Sequence, residues 1–159
     1  MVSFKGIDPM QMKMRGRLLS MAVLLSTYSA NAGPVAPDPV VGTWLVEQPA
    51  APFPLHLYVF NADYTMQQAN PDAGNPRTSD SDGKGAWARR GMRVSGKWVE
   101  VMADRTTHKL TGRGEFSYQI EISGDRMTGT GTFYAYDPAG KVVAGPISAP
   151  FTGSRVTAP

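Results

Sequence analysis

The run Glu115-Phe116-Ser117-Tyr118-Gln119-Ile120-Glu121-Ile122 alternates without a break. Phe116, Tyr118, Ile120 and Ile122 fall on one side of an extended chain, with Glu115, Ser117, Gln119 and Glu121 on the other. Successive side chains of a strand point to opposite faces, so the segment has one dry face and one wet face. A helix would scatter the same apolar residues round its circumference.

Outward from this run the pattern repeats. Short segments rich in β-branched and aromatic residues, at about 41–47, 55–61, 64–69, 85–90, 92–103, 114–123, 126–136, 141–148 and 151–157, are separated by turn residues. Asn61-Ala62-Asp63, Ser123-Gly124-Asp125 and Asp137-Pro138-Ala139-Gly140 tolerate turn dihedrals, and such short connections make neighbouring strands antiparallel. From Asn70 to Lys84 the chain is almost devoid of apolar residues, which predicts a long exposed loop able to act as a lid. The fold class is all-β. About eight such strands close most economically as an antiparallel up-and-down β-barrel, because closure removes edges; a two-sheet sandwich is the alternative.

Charge and composition narrow the chemistry. The chain has 159 residues, enough for one domain, and no cysteine, which excludes disulfides, thiolate metal sites and thiol nucleophiles. His56 and His108 are the two imidazoles, so no metal and no cofactor is expected. Lys13, Arg15 and Arg17 precede the apolar stretch Leu18 to Leu25, followed by Ala30-Asn31-Ala32, which reads as a signal peptide over 1–32 and predicts a secreted or periplasmic product. The apolar stretch is too short to span a bilayer, so no stable membrane anchor is expected. Removing the leader leaves equal numbers of basic and acidic residues, and the basic charge that would suggest nucleic acid disappears. Pro34, Pro37 and Pro39 mark 33–40 as a tether ahead of a barrel domain at 41–157.

Gly42-Thr43-Trp44 in the first strand, the hairpin Phe60-Asn61-Ala62-Asp63-Tyr64-Thr65 and Gly153-Ser154-Arg155 in the last strand resemble the calycin group of lipocalin-like barrels. The resemblance implies that Trp44 closes one barrel end and that Arg155 packs over it. Gly85-Ala86-Trp87, Arg126-Met127-Thr128-Gly129 and Tyr136 to Val143 are similar to a family of secreted lipocalin-like proteins of mostly unassigned function. In many such sequences Asp-Gly closes the first hairpin, whereas Tyr64 follows Asp63 here.

Three residues are candidates for chemistry. Glu100 shares a face with Met92, Val94, Gly96, Trp98 and Met102; in that register it enters an apolar interior that favours its neutral form and suits it to acid or base work. In the opposite register Val99 and Val101 point inward and Glu100 is a surface charge. His56 and Tyr58 share a face of the second strand with Phe60 and are candidates to orient a ligand carbonyl or move a proton. Trp98, Phe116, Tyr118 and Phe133 are the candidate ligand-binding aromatics. These features predict an exported barrel that takes a small hydrophobic or amphipathic molecule as its partner. The alternative is a cofactor-free isomerase, cyclase or lyase of the allene-oxide-cyclase kind, with Glu100 as acid or base. Oligomeric state is not legible in the sequence.

Overall fold

The computed structural model describes residues 36–72 and 75–159; the leader and the start of the tether lie outside the described residues. Nine strands follow one another: β1 (Gly42–Glu47), β2 (Leu55–Phe60), β3 (Thr65–Ala69), β4 (Thr78–Asp80), β5 (Gly83–Arg90), β6 (Arg93–Asp104), β7 (Leu110–Ser123), β8 (Arg126–Tyr136) and β9 (Val142–Arg155). No helix occurs among the described residues. Eight strands pair antiparallel in the order β6-β5-β3-β2-β1-β9-β8-β7, and β7 pairs with β6 to close an up-and-down barrel. The extra strand, β4, runs along β6 beyond the end of β5.

Closure demands a stagger between strands. Lateral partners lead from Trp44 through Tyr58 and Gln68 to Gly83. The pair Lys84 and Val99 sets Gly83 opposite Glu100, from which the path runs through Gly114 and Ala135 to Ala144. It therefore returns to β9 far from Arg155, the residue that pairs with Trp44. This stagger sets Trp44 at one end of the barrel and Glu100 towards the other.

The Trp44 end is closed. Trp44 is fully buried, its indole N–H donates to the Val40 carbonyl at 2.8 Å, and the Arg155 guanidinium lies 4.3 Å from its ring centroid. Arg155 also donates to Asp125 at 3.0 Å and to the Val41 carbonyl at 2.9 Å. Arg89 grips Asp38 through two hydrogen bonds of 2.6 and 2.7 Å, and that contact holds the Asp38 carboxyl below its ordinary value. Val40 is fully buried, so packing begins within the stretch that reads as a tether.

Above this end the interior is filled by aromatic rings. Phe60 meets Trp87 edge-on at 6.2 Å, Tyr58 meets Phe151 at 6.1 Å, and Trp98 stacks on Phe116 at 5.2 Å. Strand glycines make the room. A Cβ at Gly131 would lie 1.8 Å from the Phe116 ring, so that ring occupies space a side chain would need.

Several segments differ from the expected ones. The polar stretch from Asn70 to Lys84 is not one long loop: Thr78–Asp80 forms β4, and Gly83 and Lys84 belong to β5. Backbone pairing with β6 needs no apolar side chain, and Asp72 holds the segment by accepting from the Ser79 hydroxyl at 2.7 Å and from Arg105 at 2.7 Å. β9 is continuous through Pro146 and Pro150, where β1 no longer runs beside it, because such an edge tolerates a missing donor. Met92 sits in the β5–β6 turn and is 84% exposed, outside the strand whose inner face it was expected to join.

Candidate functional site

Glu100 enters the barrel. Val94 and Trp98 on the same strand are buried while Val101 is exposed, so the register with Val99 and Val101 inward does not occur. The carboxyl and the Phe133 ring share the hollow over Gly114: a Cβ there would lie 2.6 Å from Glu100 Oε1 and 2.7 Å from Phe133. Burial raises the Glu100 pKa to about 7, with a smaller push from the negative charge of Asp80. Asp80 pairs laterally with Met102, next in the inward series after Glu100, and one of its oxygens is buried with no partner.

His56 and Gln68 form a second polar pair. Both are buried, and Gln68 is missing from the sequence-based candidates although it alternates with the buried Met66. The Gly83 N–H donates to Gln68 Oε1 at 3.0 Å, which fixes the amide orientation. Gln68 Nε2 therefore donates to His56 Nδ1 at 3.0 Å and to Asn70 Oδ1. Asn70 is itself oriented by donating to the Pro71 carbonyl. With Nδ1 as acceptor, His56 is neutral and carries its proton on Nε2. Desolvation lowers its pKa, opposed in part by the Phe53 backbone carbonyl, which lies near the ring but outside hydrogen-bond geometry.

Tyr58 joins these groups. Its ring lies 6.3 Å from that of His56 and 6.4 Å from that of Tyr118. The Trp98 indole and the Glu100 carboxyl are both close enough to act on its hydroxyl. Burial is the dominant influence and drives the Tyr58 pKa above its ordinary value; Tyr118 is raised for the same reason. Trp98 in turn shares the hollow over Gly83 with Gln68 Oε1.

Four buried polar atoms in this region have no hydrogen-bond partner: His56 Nε2, Tyr58 Oη, Trp98 Nε1 and Tyr118 Oη. Buried polar groups in folded proteins are nearly always satisfied, and each one left over costs roughly 1–3 kcal/mol. By contrast, the other two indole N–H groups bond to the Val40 and Asn61 carbonyls.

The candidate aromatics divide into two groups. Phe116 and Tyr118 are packed into the core, 2% and 3% exposed, and Phe116 offers no free face to a cavity. Phe133 is half-buried beside Glu100. It pairs laterally with Ile147, so both side chains lie on one face of the sheet, yet Ile147 is 54% exposed. β1 pairs with β9 only over Thr152–Arg155, which leaves this inner face open to solvent near Ile147. This end of the barrel thus sets buried polar groups beside a partly exposed apolar pair, Phe133 and Ile147. No protein-family model, curated protein or solved structure matches the chain.

Proposed function

We propose that the chain is an exported, lipocalin-like barrel that binds a small hydrophobic or amphipathic molecule at its Glu100 end. The observation that carries this reading is the set of four buried, unpartnered polar atoms around Tyr58, with the partly exposed apolar pair Phe133 and Ile147 next to Glu100 at the same end. Ligand sites combine apolar walls with a few convergent polar groups, and a bound head group would satisfy atoms the protein leaves unpaired. The packed aromatic core limits the buried part of the ligand to a small head, with its apolar body against Phe133 and Ile147. The calycin-type kinship is supported by the Trp44 and Arg155 pair at the closed end.

Native mass spectrometry of protein purified from its own host tests the binding reading. A co-purifying small molecule is expected; an empty protein, with no thermal shift across amphipathic probes, would remove it.

A second reading rests on one observation, the interior carboxyl of Glu100 with its pKa near 7. A carboxyl so placed serves as general acid or base in a cofactor-free isomerase, cyclase or lyase, with His56 and Tyr58 as orienting donors.

A further inference from the structure

We infer that the head group this site takes is an uncharged carbonyl, as in a ketone, ester or lactone, held by the Nε2–H of His56 and the Nε1–H of Trp98 with the Tyr58 and Tyr118 hydroxyls beside them. The inference rests on the binding reading above and specifies the ligand class.

The hydrogen-bond inventory carries it. Trp98 Nε1 can only donate, and the chain of bonds from Gly83 through Gln68 makes His56 Nε2 a donor too. Both residues are more than nine-tenths buried, as are Tyr58 and Tyr118. Two fixed donors beside two hydroxyls are matched by an acceptor with two lone pairs, which a carbonyl oxygen supplies without bringing a proton of its own.

Charge decides between a carbonyl and a carboxylate. A buried carboxylate needs a cation, and the residues around the four atoms supply none. Arg155, the inward-facing cation of the closed end, is committed to Trp44, Asp125 and backbone carbonyls. Asp80, and Glu100 once it loses its proton above about pH 7, add negative charge nearby, which repels an anionic head. An ammonium head would be drawn to those carboxyls, but it has no lone pair for the indole and imidazole donors. A neutral acceptor satisfies both constraints.

Matched probes of equal chain length test the proposal: 2-decanone, decanoate and decylamine, titrated into the protein at about pH 8 and followed by the three indole N–H resonances. The ketone is expected to move the Trp98 resonance and to bind roughly tenfold or more tighter than either charged probe. Trp98→Phe is expected to weaken ketone binding by about tenfold. Tyr58→Phe provides an independent reading of the same donor cluster, with a weaker ketone affinity expected. Decanoate or decylamine binding as tightly as the ketone would overturn the carbonyl assignment and leave the binding reading intact. Ketone affinity unchanged in both variants would also overturn it. No shift with any probe would remove the binding reading and the assignment with it.

Discussion

Glu100 and His56 give the site opposite responses to pH. The Glu100 pKa in the fold, about 7, lies above its unfolded value of about 4.3. The folded state therefore holds the proton more tightly; this stabilisation is fully present below about pH 4.3 and is lost as pH rises through about 7. His56 is shifted down from an ordinary value of 6.5, so its neutral form supports the fold above that value and stability falls as pH drops below it. Glu100→Gln removes the first effect. The variant should be more stable than the parent at about pH 8, by roughly 2–3 kcal/mol, and nearly equal to it at about pH 4; denaturant melts at the two pH values measure the difference. If the barrel is an enzyme, the same substitution should leave ligand affinity nearly unchanged while turnover falls by roughly 10²-fold or more. A pure binder shows a modest affinity change beside the stability change.

Among the elements, the β2–β3 turn and β4 carry the sharpest expectations. Tyr64 adopts φ = 68°, the left-handed region in which a Cβ costs about 1 kcal/mol, and its ring lies 5.0 Å from that of Trp87. Tyr64→Ala loses the ring contact and keeps the backbone cost, whereas Tyr64→Gly loses the contact and relieves it. Gly at position 64 should therefore be about 1 kcal/mol more stable than Ala, the reverse of their order in a regular strand, as read from thermal melts. β4 depends on Asp72, which accepts from the Ser79 hydroxyl and Arg105 and from the Asp80 backbone N–H at 3.2 Å. Asp72→Ala should expose 75–82 to limited proteolysis that the parent resists, with the barrel strands uncut.

The same two elements show where sequence reading stops. Phe116 to Ile122 alternate cleanly and assign their own inner face, whereas in β6 Val99 and Val101 compete with Glu100, and it is the burial of Val94 and Trp98 in the fold that selects the register with Glu100 inward. β4 has no such signal, because Thr78, Ser79 and Asp80 are held by β6 and Asp72 rather than by burial of apolar groups. Gln68 follows the alternation of Met66, but its polarity disguises a buried position that depends on Gly83 and His56 arriving from elsewhere in the chain. The left-handed Tyr64 likewise rests on Trp87, a long-range partner that no local turn pattern contains.

On the scale of the whole molecule, the barrel has one sealed end and one that, on the function proposed above, binds ligand. Trp44, Arg155, Val40 and the Arg89 to Asp38 pair seal the first, with every indole and guanidinium there partnered. The second leaves four buried polar atoms around Tyr58 unpaired, and an oxygen of Asp80 besides, next to a carboxyl that prefers its proton. Arg155→Ala should accordingly lower stability by about 1 kcal/mol, measured by chemical denaturation, without altering ligand affinity. Changes at the Glu100 end should act on binding first. The central claim, that the interior around Tyr58 is a ligand site, is tested most directly by a crystal structure of protein purified from its own host, at a resolution that distinguishes water from an organic molecule. The account predicts non-protein density within hydrogen-bond distance of His56 Nε2 and Trp98 Nε1, extending past Phe133 towards Ile147. Density for water alone, or those polar atoms bonded to one another with no space between them, would contradict it.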